Sequence, residues 1–450
     1  MSDKKMKLKN TFKFDKNEVK KFLVNNMVTI LFIIICYLGF KFSGLSFHFY
    51  LRDITTRVGR NSFLILALII PVLAGMGLNF AIVIGAMAGQ IALLLVTLFA
   101  VDGILGFLLA IVIATPFAIL FGYLLGALLN KTKGQEMITS LVLSLFANGV
   151  YQFIFLILVG GIIPWPDPSM LLNRGYGIRN TIGLGDGQGV GIKGVLDSII
   201  NWSVPDAMII FTILAFVGVG VYYLIRKSRG ITAVETDVIG KKNLILIGML
   251  GFAAIVSAIY TKATGSPVNN VTIPVFTYGV VALLCLFTLF IVKTKLGQDF
   301  RAIGNDMHVA QVAGINVEKT RIKAIVLSIV FASWGQIIFL QNLGNLNTYG
   351  AHTQVGMFAI AAILIGGASV VKANVGHALL GAVLFHTLFI VSPLAGRNLF
   401  GDAQIGEYFR AFVAYGVIAL ALVMHALRKR LQSQDLIRMR EEEELEEATD

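Results

Sequence analysis

Charged residues are scarce in this sequence. Of its 450 residues only 14% are Asp, Glu, Lys or Arg, whereas 56% are hydrophobic. A soluble globular domain usually carries about 25% charged residues, and so few charges could not cover the water-exposed surface of a chain of this length. The shortage excludes an ordinary soluble protein and makes lipid the solvent for much of the chain.

Motifs that would mark an enzyme are also missing. The sequence contains no G-x-x-x-x-G-K-[ST] phosphate-binding loop, and its six histidines are scattered, without a metal-binding spacing. Both cysteines, Cys36 and Cys285, fall within apolar runs, where unpaired thiols are expected. We therefore predict no catalytic residues, no metal site and no cofactor bound by this chain.

Apolar segments long enough to cross a bilayer, about 20 residues each, recur along the chain. Two adjoining pairs, 62–80 with 81–100 and 354–371 with 375–392, are candidates for broken or re-entrant helices. Because backbone polar groups in lipid must be satisfied within the segment, an all-α, polytopic transmembrane helical bundle of about 10–12 membrane segments is predicted. The twelve candidates are 22–40, 62–80, 81–100, 103–129, 138–162, 206–225, 243–260, 273–292, 324–341, 354–371, 375–392 and 408–427.

The net charge of +12 is not a nucleic-acid signal. Of the 37 Lys and Arg residues, about 27 fall in segments that this topology places in the cytoplasm and about 9 in segments outside, which is the bias that orients membrane proteins. The predicted parts are a basic cytoplasmic N-terminus (1–21), a membrane domain (22–427) and a charged cytoplasmic tail (428–450). A secretory signal is the alternative for the first apolar run, but no small-residue cleavage site follows it.

Two segments are predicted to lie outside the membrane on the external side. Residues 41–61 carry four basic residues, against the charge bias. A segment along the membrane surface is compatible with this pattern, and the sequence leaves the placement open. Residues 163–205 contain four prolines and a glycine-rich run, which is typical of flexible turns and compatible with an external docking surface.

The loop at 293–323, predicted to be cytoplasmic, contains the signals of a short helix. Asn305 or Asp306 can cap its N-terminus, and Gly314 suits the position just past its end. Met307, Ala310 and Gly314 then share one small, apolar face. That face favours insertion into a groove of another protein, and a plain connector helix is the alternative.

This loop resembles the coupling-helix region of ATP-binding-cassette (ABC) importer permeases of the ribose, nucleoside and branched-chain amino-acid type. The likeness rests on an Arg-Ala-x-Gly segment followed by Ala-x-x-x-Gly-Ile. Residues 84–94, 130–144 and 363–385 resemble further segments of that family in the same order. The matching loop residues are Arg301, Ala302, Gly304, Ala310, Gly314 and Ile315.

The resemblance implies a location in the bacterial plasma membrane and several partners. These are a second permease chain, a separate ATPase that holds ATP and Mg²⁺, an extracytoplasmic solute-binding protein and lipid, with no nucleic acid. Both termini would be cytoplasmic. The solute would be a sugar or a nucleoside, with a branched-chain amino acid as the other option. The residues expected to couple to the ATPase are Arg301, Gly304, Asn305, Asp306, Ala310, Gly314 and Ile315.

Uncharged polar residues within the apolar segments are candidates for the solute pathway. Ser140, Ser144, Asn148 and Gln152 recur every fourth residue and so follow one face of a helix. Hydrogen bonds between helices are the alternative role. Full charges are nearly absent from the predicted spans, which argues against a proton-coupled secondary transporter. That class, a non-transporting scaffold and an intramembrane enzyme remain the alternatives. The predicted pathway residues are Asn79, Gln90, Ser144, Asn148, Gln152 and Gln336.

Overall fold

A computed structural model describes residues 26–185, 190–228, 241–420 and 423. The predicted N-terminal segment 1–21 and the tail 428–450 lie outside these residues. The described helices are α1 Met27–Ser43, α2 Phe47–Leu66, α3 Ile69–Leu73, α4 Ile82–Leu98, α5 Gly103–Lys131, α6 Glu136–Phe153, α7 Val195–Ile199, α8 Val204–Ser228, α9 Lys241–Ala263, α10 Val275–Lys293, α11 Lys295–Asn305, α12 Met307–Val312, α13 Val317–Leu343, α14 Ala351–Ile365, α15 Val375–Phe400, and α16 403–420.

Helices dominate the described chain, as predicted. Seven of them, some with a short continuation, are long and apolar enough to cross a membrane, and four shorter apolar helices accompany them. Of the two pairs predicted to be broken or re-entrant, the first corresponds to the end of α2 with α3, followed by α4, and the second to the 15-residue α14 and the 26-residue α15. The chain is therefore an all-α, polytopic membrane bundle, and the count of ten to twelve crossings stays a prediction.

Two small antiparallel sheets close one end of the bundle, which we call the sheet end. β1 (Thr181–Gly183) pairs with β4 (Asn345–Asn347), and β2 (Asn201–Ser203) pairs with β3 (Thr272–Pro274). Part of the predicted loop 163–205 is thus held in place by strand pairing. The 27-residue α13 leads from β4 over about 40 Å to the opposite end, which we call the α12 end.

Glycines let α13 lie close to its neighbours at the centre of the bundle. A Cβ at Gly85 of α4 would lie 2.6 Å from the Ile329 carbonyl oxygen, and one at Gly89 would lie 2.5 Å from the Ser333 carbonyl oxygen. A Cβ at Gly122 or Gly126 of α5 would lie 2.9 Å or 3.1 Å from a Cα of α13. Both Gly-x-x-x-Gly pairs therefore serve close helix packing.

Most of the segment 41–61 lies in one helix, residues 47–66, and Phe47–Leu73 is long and apolar enough to be a candidate span. The position of this segment at the membrane surface, which the sequence left open, stays a prediction. This helix carries Arg57 and Arg60, so the premise that spans hold almost no full charges fails here. The Arg60 Nη1 donates to Asn342 Oδ1 at 3.1 Å, and Asn342 Nδ2 donates to Asp197 Oδ2 at 2.7 Å. The charge is thus compensated at the sheet end.

Candidate functional site

The short helix α12 is capped at both ends by the residues that the sequence singled out. The Asp306 carboxylate accepts from the backbone N–H of His308 at 2.7 Å and of Val309 at 3.0 Å. These hydrogen bonds, with that from Val309 the larger effect, lower the pKa of Asp306. Gly314 follows the helix with a φ of +83°, a backbone conformation that favours glycine. The predicted start and end of this helix are confirmed.

The prediction for the exposed face of α12 is wrong. Ala310 is only 3% exposed and packs against Ile303 and Val317, because this small side chain seats α12 on the bundle. The exposed face carries Val309 and Val312 instead, which are 65% and 90% exposed. A docking partner would therefore meet these two valines rather than Ala310.

The remaining predicted loop residues hold the loop onto the bundle or lie at its surface. Arg301 donates from Nη2 to the carbonyl oxygen of Val292, at the end of α10, at 2.9 Å. Gly304 lies so close to the carbonyl oxygen of Leu73 that any Cβ would overlap it. Asn305 is exposed and Ile315 is half-buried. Arg301 and Gly304 therefore position α12.

Inside the bundle, a histidine joins three helices. His352, the second residue of α14, is fully buried. Its Nδ1 contacts Oε1 of Gln90 on α4, and its Nε2 lies 2.8 Å from Oδ1 of Asn148 on α6. Gln90 in turn donates from Nε2 to the Asn347 carbonyl oxygen at 3.0 Å. We call Gln90, Asn148 and His352 the buried polar cluster.

The hydrogen-bond chemistry of this cluster selects one arrangement of protons. Full burial of His352 disfavours a charged imidazole, and a neutral imidazole has one N–H and one acceptor nitrogen, so its two partners cannot both be carbonyl oxygens. Gln90 is fixed by its bond to Asn347, so His352 donates from Nδ1 to Gln90. Asn148 then donates to Nε2 with its amide group rotated, so that the amide nitrogen and oxygen exchange places. The hydrogen-bond network decides this assignment. The cluster is thus a neutral set of donors and acceptors.

Two tyrosines border the cluster. The Tyr151 ring lies 4.9 Å from the His352 ring, centroid to centroid. Tyr349 lies three residues before His352 in the chain. Its hydroxyl donates to the Ile178 carbonyl oxygen at 2.7 Å. Aromatic rings, amides and an imidazole are side-chain types that suit contact with a sugar ring or a base, through apolar faces and hydroxyl contacts.

The other pathway candidates lie at different places. Ser144 is buried on α6 one turn before Asn148, and Gln152 is half-buried one turn after it. The Cβ of Gln336 on α13 lies 3.1 Å from a Cβ built at Gly89, and its buried amide has no hydrogen-bond partner among the described residues. Asn79 accepts from the Ala81 N–H at 3.1 Å at the start of α4. Of the six predicted pathway residues, only Gln90 and Asn148 are linked to each other, because each contacts His352.

Sequence reasoning missed His352. Its partners are 262 and 204 positions away in the chain, so no local spacing could reveal them. The available signal was its position, since it directly precedes the apolar segment 354–371, and a polar ring there requires a partner.

Comparison with known proteins places part of the chain in a family. The family described as "Branched-chain amino acid transport system / permease component" matches residues 191–424, just over half of the chain. This range includes α12 and His352, whereas Gln90 and Asn148 precede it. No solved structure matches the chain.

Several curated relatives are similar over a shorter stretch. The ribose import permease protein of Escherichia coli (strain K12) is 30% identical over 190 residues, 38% of this chain and 55% of the relative. The nucleoside ABC transporter permease protein of Lactococcus lactis is 30% identical over 35% of this chain and 47% of the relative. The xylose transport system permease protein of Haemophilus influenzae is 29% identical over 36% and 41%.

The chain spans about half the length of the curated relatives it matches. The family match, by contrast, covers just over half of this chain, including the capped α12 and the helix that carries His352. This multi-pass membrane protein therefore belongs to the family of branched-chain amino acid transport system permease components.

Proposed function

We propose that this chain is the membrane-spanning permease subunit of an ABC importer that carries a small neutral solute across the bacterial plasma membrane. A sugar or a nucleoside is the favoured solute class. Family membership supports the proposal, together with relatives whose names specify ribose, xylose and nucleoside transport. In this assignment ATP and Mg²⁺ bind to a separate ATPase subunit, in keeping with a sequence that has no phosphate-binding loop.

The observation that carries the proposal is the exposed face of α12. This helix is capped by Asp306, ended by Gly314 and seated by Ala310, yet it leaves Val312 90% exposed. Apolar side chains presented on a well-anchored short helix suit insertion into a groove of a partner protein. The partner is the ATPase, and the α12 end is the cytoplasmic side.

The buried polar cluster marks the proposed solute pathway, between α4, α6 and α14. Its neutral donors and acceptors match hydroxyl groups, and it carries no net charge that would call for a counter-charge on the solute. The sheet end then faces outward and receives the solute-binding protein, and a second permease chain completes the pathway. Both termini are cytoplasmic in this orientation.

Purification from native membranes tests the proposal. An affinity-tagged chain should bring down an ABC ATPase, identified by mass spectrometry. Val312→Asp should lose the ATPase, because a charge would have to be desolvated in an apolar contact. Val371→Asp is the matched control, since Val371 is also exposed but lies outside α12. If the wild-type chain retains no ATPase, an importer is excluded and the secondary-transporter alternative gains support.

A further inference from the structure

A charged pair is buried where the α12 end meets the bundle. Arg321, on the first turns of α13, is only 1% exposed and forms an ion pair with Glu136, the first residue of α6. The Arg321 Nη1 also lies 3.1 Å from the Met307 Sδ of α12. One guanidinium group therefore contacts α12, the proposed docking helix, and α6, which carries Asn148.

Helix α6 is otherwise held lightly. In the apolar 18-residue stretch within Glu136–Leu158, which contains most of α6, only 17% is buried. Near its start, Ser140 accepts from the Phe80 N–H at 3.2 Å, and further along it Asn148 contacts His352. Glu136 and Asn148 are twelve residues apart, which is about 18 Å along a helix. A displacement at Glu136 would thus reach the buried polar cluster through a rigid helix with few competing contacts.

We propose that the Arg321–Glu136 pair links α12 to α6, so that movement of the ATPase on α12 shifts α6 and opens the contact between Asn148 and His352. The inference rests on the proposed function. An ion pair removed from water resists separation far more than one in water, and this gives the link its stiffness. Arg321 and Glu136 are positioning residues that do not contact the solute.

A second ion pair nearby supplies a control. Lys133 Nζ and Glu318 Oε1 lie 3.4 Å apart and join the same two parts of the chain, the segment before α6 and the start of α13. Their side chains are 43% and 67% exposed, and solvent weakens such a pair. It should therefore contribute little to transmission.

The experiment follows α6 directly and does not require the solute to be known. In a chain with Cys36→Ala and Cys285→Ala, Ala147→Cys places one thiol at a half-buried position of α6. The complex with its co-purified ATPase is reconstituted, and the rate of maleimide labelling is measured with and without ATP and Mg²⁺. The test variant is Glu136→Gln/Arg321→Met, which leaves no unpaired buried charge, and the control is Lys133→Met/Glu318→Gln.

We expect ATP to change the labelling rate at least threefold in the parent and the control, and by less than 1.5-fold in the test variant, which still binds the ATPase. An equal response in the test variant, or none in the parent, would overturn the inference while leaving the importer assignment intact. Loss of the folded complex in the test variant alone would assign the pair to stability and also overturn it. Failure of the parent to bind any ATPase would instead contradict the proposed function.

Discussion

His352 on α14 and Asn148 on α6 contact each other at 2.8 Å between Nε2 and Oδ1, and Gln90 on α4 contacts the opposite nitrogen of the ring. Three helices that are far apart in sequence are thus tied together by one neutral side chain. A solute that passes between them must exchange its own hydroxyl groups for these contacts.

Replacement of Asn148 should impair transport without preventing insertion. Asn148→Leu removes a donor to a buried imidazole, and an unsatisfied buried polar group costs about 1–3 kcal/mol. We expect uptake to fall about tenfold while the amount of protein in the membrane stays unchanged, as measured by transport assays beside quantitative immunoblots. Phe146→Leu, on the exposed side of the same helix, should transport normally. Equal uptake in both variants would remove Asn148 from the pathway.

A methyl group at Gly89 should destabilise the bundle. The Cβ of Gly89→Ala would lie 2.5 Å from the Ser333 carbonyl oxygen, and overpacking of this kind costs about 1–3 kcal/mol. Gly149→Ala on α6 is the matched change, because nothing lies within 4 Å of the new methyl group. We expect the midpoint of thermal unfolding in detergent to fall by several degrees for Gly89→Ala and to stay level or rise for Gly149→Ala. The opposite order would refute the close packing of α4 on α13.

The sequence predicted the features that depend on local chemistry. Apolar length predicted the helices, and Asp306 and Gly314 predicted the ends of α12. Each of these signals lies within a few residues, where backbone geometry and side-chain size act directly.

Features that depend on distant neighbours were predicted wrongly or missed. Residues 41–61 carry enough charge to suggest a surface segment, yet residues 47–66 form a helix whose Arg60 donates to Asn342 of α13. Ala310 was assigned to the outer face, but its orientation is set by Ile303 and Val317. Periodicity identifies the residues that share a helix face and leaves open which face the rest of the chain covers.

The inward orientation of Ala310 changes the expected effect of a charge there. Ala310→Asp would bury an unpaired carboxylate against Ile303 and Val317, which is strongly destabilising. We expect lower thermal stability and faster proteolysis of the loop. Ala313→Asp, at an exposed position of the same loop, should leave both unchanged. If Ala310→Asp kept wild-type stability and lost only the ATPase, Ala310 would belong to the docking face.

Thiol labelling in intact cells tests the orientation of the bundle. In the background without Cys36 and Cys285, Ser198→Cys at the sheet end should react with an impermeant maleimide. Gln311→Cys on α12 should react only after permeabilisation. Both positions are exposed, so the membrane alone determines access. The distribution of basic residues motivates this expectation, and the reverse labelling pattern would invert the proposed topology.

Solute uptake into reconstituted vesicles tests the central claim most directly. The chain and its co-purified ATPase are placed in liposomes with a solute-binding protein outside, and radiolabelled ribose, xylose or uridine is offered with ATP either enclosed or absent. The account predicts accumulation of one of these solutes that requires enclosed ATP and persists when ionophores abolish all ion gradients. Uptake that proceeds without ATP and collapses with an ion gradient would contradict it.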